Sequence, residues 1–146
     1  MPEFSLPRIL IVEDDYYFGT DVLGYHFKRQ GFDVVNAYAA SEFEGSWIDV
    51  DAIVLDIRLP EKPGELIDPW AGLRTLNKIR GSLGDCSIPL QLENCIIRSA
   101  QTLGDAKAAS ISVPKHFKWF PPDVSFSELL ETLQVVLKTN MEGTNP

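Results

Sequence analysis

The sequence contains few basic residues and no long apolar run. Lys and Arg number 13 against 21 Asp and Glu, which gives a formal net charge of −8 at pH 7. Sequence-independent binding to nucleic acid or to an anionic membrane needs a basic surface, so this charge argues against both partners. The apolar runs are too short to cross a bilayer, so we expect no membrane-spanning segment.

The sequence also has no recognisable secretory signal and few cysteines. The amino-terminal stretch MPEFSLPRILIVEDD lacks a basic segment followed by an apolar one, so we find no secretory signal and expect a cytoplasmic location. The two cysteines, Cys86 and Cys95, are then expected to be reduced, and neither lies in a CxxC motif that would suggest zinc. We predict a loop thiol at Cys86 and a core thiol at Cys95.

Size and composition indicate one globular domain. The chain has 146 residues, of which 45% are hydrophobic and 23% charged, and this is enough for a sizeable core. There is no linker and no internal repeat. We therefore predict a single domain over residues 1–146, with a core at 8–138 and a polar tail at 139–146.

Short apolar runs alternate along the chain with segments of helical periodicity. The first run, RILIV, reads as a buried strand, and Phe18, Val22 and Phe27 then recur at helical spacing. This alternation predicts an α/β fold with a doubly wound parallel sheet. The predicted strands cover residues 8–12, 32–37, 51–56, 95–97 and 111–113, and the predicted helices cover 16–30, 39–45, 70–80 and a last segment from Ser125.

Polar residues follow most of the predicted strands. Glu13 and Asp14 follow the first strand, and Asp56 ends the third. Ser99 follows the fourth strand and Lys115 the fifth. Because the carboxyl ends of parallel strands meet at one edge of the sheet, these side chains are expected to converge there.

Carboxylates that converge repel each other and raise each other's pKa. Either a bound divalent cation such as Mg²⁺ or separation by solvent relieves that repulsion. A hydroxyl and a lysine at the same edge favour the cation. Together these groups have the chemistry of phosphoryl transfer, namely a carboxylate nucleophile, a metal, and donors that hold phosphoryl oxygens.

Four segments resemble motifs of one family, the receiver domains of response regulators in two-component signalling. ILIVEDD is similar to the family's first strand and acidic pair, and IVLDIRLP to its third strand with the phosphoacceptor. IIRSA is similar to the strand that ends in Ser or Thr, and VPKHF to the strand that ends in Lys. The resemblance spans residues 8–138 and implies the flavodoxin-like fold, with a five-stranded parallel sheet.

The resemblance implies a role for each acid. Asp56 would accept a phosphoryl group from a histidine kinase or a phosphotransfer protein. Glu13, Asp14 and Asp56 would hold Mg²⁺, with the backbone carbonyl of Arg58 as a further ligand. Asp15 is expected to cap the first helix instead.

Two further roles carry over from the family. Ser99 would bond a phosphoryl oxygen, and Lys115 would pair with the phosphoryl group. The lysine of the family is usually followed by Pro, whereas here Pro114 precedes Lys115 and His116 follows it. Lys118 is therefore an alternative for the same role.

Three connections depart from the family pattern. With a strand at 111–113, too few residues remain after Ser99 for a normal helix, so we predict that the fourth helix is truncated or replaced by a loop. Residues 60–70 form a long stretch beside the site, either as a surface insertion or as a lid or partner contact. Residues 81–93, with Gly81 as the expected helix end, are predicted to be a loop.

The predicted function is that of a phosphorylated signalling protein without an attached output domain, which acts through protein–protein contacts on a downstream target. Relay of the phosphoryl group, a phosphoryl sink and regulation of the kinase all stay open. The alternative is a degenerate receiver that binds partners without phosphorylation. A dehalogenase-like phosphatase would need a second acid where Arg58 stands, and no glycine-rich nucleotide motif occurs.

Overall fold

The computed structural model describes residues 6–84, 88–114 and 117–144. Five parallel strands form one sheet in the order β2-β1-β3-β6-β7. This is the strand order of flavodoxin-like folds, so the predicted fold class is confirmed. The strands of this sheet are β1 (Arg8–Val12), β2 (Asp33–Ala37), β3 (Ala52–Leu55), β6 (Cys95–Arg98) and β7 (Lys118–Phe120), and a separate antiparallel pair consists of β4 (Leu59–Pro60) and β5 (Ile67–Asp68).

Helices cover both faces of the sheet. On one face, Phe43 and Leu76 join a core cluster with the sheet, and on the other face Phe27 and Leu133 do so; all four side chains are fully buried. Strands that are buried on both faces account for the continuous apolar runs in the sequence. The helical elements are a π-helix (Tyr17–Gly24), α1 (Tyr25–Arg29), α2 (Ala40–Ser46), α3 (Ala71–Ser82), α4 (Leu90–Glu93), α5 (Leu103–Ala108) and α6 (Phe126–Thr144).

The fifth strand of the main sheet lies later in the chain than the sequence predicted. Residues 111–114 form no strand, and β7 instead pairs Lys118–Phe120 with β6. The segment at 111–113 packs on α3, where the Asn77 side chain donates to the Ser112 carbonyl at 2.8 Å. Trp119 and Phe120 pack against the core clusters on opposite faces of the sheet, so β7 contributes apolar side chains to both faces.

This shift lengthens the connection after Ser99. The connection contains α5, whose first turn is closed by a reciprocal capping box between Thr102 and Asp105. A loop in place of the fourth helix was therefore a wrong prediction. Truncation relative to the family stays a prediction, because the length argument depended on the misplaced strand.

The connection at 81–93 is only in part a loop. Helix α3 continues through Gly81 to Ser82, so Gly81 does not end it. Helix α4 begins directly after Pro89 and buries Leu92 fully in the core. Cys95 is a buried free thiol, as predicted, and Cys86 lies outside the described residues. Among the described helices, none is long and apolar enough to cross a membrane.

Candidate functional site

Three carboxylates meet at the carboxyl ends of β1 and β3. The Glu13 amide donates to the Ala37 carbonyl at 2.9 Å, and the Asp56 amide donates to the Val12 carbonyl at 2.9 Å. These bonds continue the strand ladders one residue past each strand. One carboxylate oxygen from each of Glu13, Asp14 and Asp56 lies within 4.8 Å of the others. The three acids therefore converge as the sequence predicted.

The cluster is electrostatically unfavourable when fully ionised. Glu13 is only 7% exposed, and burial, followed by the charge of Asp56, raises the pKa of Glu13 to about 9. Burial also raises the pKa of Asp56, although the Arg58 amide, which donates to Asp56 Oδ1 at 3.0 Å, and the Arg98 charge both oppose the shift. Both carboxyl groups therefore hold a proton more strongly than isolated acids do, and a nearby positive charge would oppose this effect.

The donor set fits a hard divalent cation. Oxygen ligands from carboxylates are those that Mg²⁺ prefers, and a dication would offset the repulsion that raises these pKa values. Glu13, Asp14 and Asp56 are the residues that could hold it. The Arg58 carbonyl as a further ligand stays a prediction. Asp15 lies just outside this set, and its carboxylate accepts from the Phe18 amide at 3.1 Å, as expected of a helix cap.

Backbone packing fixes the segment that carries Asp56. The Gly72 amide, at the start of α3, donates to the Ile57 carbonyl at 3.0 Å. A Cβ on Gly72 would lie 2.6 Å from the Asp56 carbonyl oxygen and 2.7 Å from the Ile57 Cα. Only glycine therefore lets α3 approach this close to the strand end, and Ile57 is fully buried beside it. The position of the Asp56 backbone depends on this contact.

Ser99 lies across a cleft from the carboxylates. The cleft has a volume of about 230 Å³, and Asp14, Asp56 and Ser99 are among its lining residues. The Ser99 amide donates to the Phe120 carbonyl at 3.0 Å, and its buried hydroxyl oxygen accepts from the Gln101 amide at 3.2 Å. A small polyatomic group on Asp56 would therefore lie near a hydroxyl.

The predicted lysine is not found at this edge among the described residues. Lys115 lies outside them. Lys118 is exposed and pairs with Ile96 at the amino end of β7, away from the acids. The structure therefore gives no support to Lys118 as the alternative to Lys115. The carboxyl end of β7 is formed by Phe120, which Pro121 follows.

Arg98 is a charged residue of the cleft that the sequence reasoning missed. It ends β6 and its side chain is 12% exposed. Its Nη1 lies 3.5 Å from Glu13 Oε2, its Nη2 donates to the Pro122 carbonyl at 2.6 Å, and its Cζ lies 4.1 Å from the centroid of the Phe18 ring. An arginine next to Ser99 in an otherwise apolar strand was the available signal, because a buried charge needs partners.

The long stretch at 60–70 folds into the β4–β5 pair beside the cleft. Ile67 and Arg58 line the cleft together with Asp56. Arg74 of α3 anchors the pair by ion pairs to Asp68 and, at 2.9 Å, to Glu61. The stretch is thus ordered by contacts to α3, and its edge reaches the mouth of the site.

Several solved structures with a similar fold are receiver domains. A CheY-like response regulator receiver domain protein from Methanospirillum hungatei JF-1 matches with a TM-score of 0.67 and 21% identity, over 95% of this chain and 99% of that one. The signal receiver domain of a LuxO repressor protein from Vibrio parahaemolyticus matches with a TM-score of 0.68 and 17% identity, over 95% and 96% of the two chains.

A third similar structure is the response regulator TrrA from Thermotoga maritima, solved in complex with Mg²⁺-BeF. It matches with a TM-score of 0.61 and 20% identity, over 90% of this chain and 99% of that one. No family profile and no curated protein sequence matches the chain. The chain therefore has the fold of the response-regulator receiver domains, and at these identities the likeness establishes the fold alone.

Proposed function

We propose that the protein is a receiver that accepts a phosphoryl group on Asp56 in a reaction that depends on Mg²⁺. The observation that carries this proposal is the cluster of Glu13, Asp14 and Asp56 at the ends of β1 and β3, with Ser99 across the cleft. The residue types and their strand positions match those that the receiver family uses. A bound Mg²⁺ would supply positive charge that offsets the acids and the incoming phosphoryl group.

The phosphoryl donor would be a phosphohistidine on a histidine kinase or a phosphotransfer protein. A carboxylate oxygen of Asp56 attacks phosphorus, the P–N bond breaks, and its electron pair returns to the imidazole nitrogen. The Arg58 amide already fixes one oxygen of Asp56 and so orients the nucleophile. The Ser99 hydroxyl oxygen accepts from the Gln101 amide, and its O–H could at the same time donate to a phosphoryl oxygen.

Output would run through contacts with a downstream protein in the cytoplasm, without binding to nucleic acid. A phosphoryl group adds nearly two negative charges and three acceptor oxygens at Asp56. Ser99 and the segment after it are the elements that those charges would shift first. The second candidate is a degenerate receiver, and what favours it is the Phe120–Pro121 end of β7, where the family has its lysine.

Intact mass spectrometry separates the two candidates. The protein is incubated with phosphoramidate in the presence and absence of Mg²⁺, together with Asp56→Asn and the exposed control Asp49→Asn. We expect one phosphoryl adduct in the wild type and in Asp49→Asn, only with Mg²⁺, and none in Asp56→Asn. Absence of an adduct in every sample, at times short enough to precede hydrolysis, would favour the degenerate receiver.

A further inference from the structure

Among the described residues, no lysine stands at the carboxyl end of β7, yet the proposed reaction brings a dianionic phosphoryl group to a cleft with three acids. One divalent ion does not neutralise that total charge, so a second cation is needed near phosphorus. Two arginines, Arg58 and Arg98, line the cleft among the described residues. Arg58 is exposed at the mouth, whereas Arg98 is held inside.

We propose that Arg98 takes the role that the family gives to a strand-end lysine and pairs with the phosphoryl group on Asp56. This assignment rests on the proposed function of Asp56. The charge of Arg98 already acts on the Asp56 carboxylate, and both residues line the same cleft together with Ser99. The positive charge near the phosphoryl group is thus supplied by a side chain of β6, next to Ser99, and not by one of β7.

The Arg98 guanidinium is held in place, but its N–H donors do not all have a close hydrogen-bond acceptor. Stacking on Phe18 and the bond to the Pro122 carbonyl hold its plane, while Nη1 makes only a long contact of 3.5 Å with Glu13. Its Nε is buried and has no hydrogen-bond partner among the described residues. A buried donor without a partner is costly, so a rotation of the guanidinium that brought this donor to phosphoryl oxygens would be favoured.

The chemistry of arginine suits this role. A guanidinium is permanently charged and presents several N–H donors in one plane, so it can bind two oxygens of a tetrahedral phosphoryl group at once. In the transfer from phosphohistidine, the P–N bond breaks as the bond from phosphorus to Asp56 forms. Arg98 donates hydrogen bonds to the phosphoryl oxygens throughout and is not itself consumed.

The test compares Arg98→Met and Arg98→Lys with the wild type. Methionine keeps an unbranched apolar side chain over Phe18, and lysine restores the charge. The matched control is Arg80→Met, because Arg80 also lies over a phenylalanine ring, Phe117, and pairs with a glutamate. Arg80 lies near Cys95, at the amino end of β6 and far from the cleft. A further variant, Lys115→Gln, tests the lysine that the sequence suggested.

Two readouts are used: the rate of phosphoryl uptake from phosphoramidate, and the rise in unfolding temperature on adding beryllium fluoride, a phosphoryl mimic, with Mg²⁺. We expect Arg98→Met to lower the uptake rate by about 100-fold and to abolish most of the beryllium fluoride shift. Arg98→Lys should recover part of both. Arg80→Met should react like the wild type, and Lys115→Gln should lose much less uptake than Arg98→Met. Mg²⁺ alone should stabilise Arg98→Met at least as much as the wild type, because the removed charge lies 3.5 Å from Glu13.

The two readouts distinguish a wrong assignment of Arg98 from a wrong proposed function. If the wild type reacts and Arg98→Met reacts equally fast, or if Lys115→Gln is the variant that loses uptake, the assignment of Arg98 is wrong and Asp56 keeps its role. If the wild type itself neither reacts nor binds beryllium fluoride, the proposed function is wrong and the assignment of Arg98 is overturned with it.

Discussion

The two halves of the sheet edge obtain their polar groups in different ways. At β1 and β3, each acid follows directly after a continuous apolar strand, and the ladder hydrogen bonds of Glu13 and Asp56 continue past the strand. At β6 and β7, the hydroxyl follows its strand at Ser99, but the positive charge of Arg98 lies within β6. The end of β7 carries Phe120 instead of a charge.

In the two halves, the strand that carries a polar group and the chemical role of that group are linked to different degrees. The β1–β3 half is fixed by two buried central strands, so the places of its acids follow from strand order. The β6–β7 half ends in an edge strand that pairs on one side only. There the same chemical role can be filled from a neighbouring strand, because what a phosphoryl group needs is charge at a given place, whichever strand supplies it.

The largest effect is expected at the backbone contact that fixes the β1–β3 half. Gly72→Ala should lower the free energy of unfolding by about 2–3 kcal/mol, because its Cβ would lie 2.6 Å from the Asp56 carbonyl oxygen. Urea unfolding followed by far-ultraviolet circular dichroism measures this. Phosphoryl uptake should fall as well, since the displaced atoms belong to the Asp56 segment.

The matched control is Gly81→Ala in the same helix. No heavy atom lies within 4 Å of the Cβ position of Gly81, so alanine should stabilise the protein by about 0.5–1 kcal/mol through helix propensity alone. A Gly72→Ala variant that is as stable as Gly81→Ala would show that α3 does not hold the Asp56 segment.

The next effect concerns the edge strand of the β6–β7 half. Trp119→Ala should lower the free energy of unfolding by about 2 kcal/mol, because it removes a half-buried indole and its hydrogen bond to the Gln101 carbonyl at 2.9 Å. Ser112→Ala, in the segment where the sequence placed the strand, should change it by less than about 0.5 kcal/mol. The reverse order would mean that residues 111–113 carry the packing.

The strands that could be predicted are those with a strong pattern. RILIV and AIVL are continuous apolar runs, and their ends located the acids. The strand KWF is short, begins with Lys118 and pairs on one side, so its pattern is weaker than that of the ISV run at 111–113. The sequence pattern predicts an ordinary α-helix at Tyr17–Gly24, where the structure has a π-helix. The residues per turn of the two helices differ too little to be distinguished over so short a segment.

The site was predictable to the same extent. Glu13, Asp14, Asp56 and Ser99 follow strands that were correctly placed. Arg98 was missed because the predicted strand covers only 95–97, and because its partners come from distant parts of the chain. Contacts such as that of Arg98 with the Pro122 carbonyl depend on tertiary packing and leave no local signal in the sequence.

A smaller effect tests the repulsion among the acids. Without metal at about pH 8, Asp56→Asn should be more stable than the wild type by about 1 kcal/mol, because it removes one buried carboxylate. The pKa values of Glu13 and Asp56 are raised in the folded protein, so the folded state binds more protons than the unfolded one, and wild-type stability falls as pH rises from the ordinary carboxyl range toward about 9.

The stability difference should therefore shrink at about pH 4. Millimolar Mg²⁺ should raise the unfolding temperature of the wild type more than that of Asp56→Asn. The exposed control, Asp49→Asn, should track the wild type in every condition. A difference that does not depend on pH or on Mg²⁺ would mean that the carboxylates are separated by solvent.

The smallest expected effect concerns the β4–β5 pair. It tests whether this pair is a surface insertion or a contact for the phosphoryl donor. Arg74→Gln removes the ion pairs to Glu61 and Asp68, and because all three side chains are partly exposed, the loss should be about 0.5 kcal/mol. The loss should diminish in high salt. It should also vanish in strong acid, because Arg74 lowers the pKa of Asp68, and that stabilisation is lost once Asp68 is protonated.

Lys78→Gln is the control from the same helix, since Lys78 pairs with Glu44 alone among the described residues and should change stability even less. The informative quantity is uptake from a protein donor compared with uptake from phosphoramidate. A surface insertion predicts that Arg74→Gln leaves both rates unchanged. A partner contact predicts a slower rate with the protein donor alone, because Ile67 lines the mouth of the cleft and a small donor does not need that surface. In that case the β4–β5 pair selects the kinase, while Asp56 and its neighbours carry the chemistry.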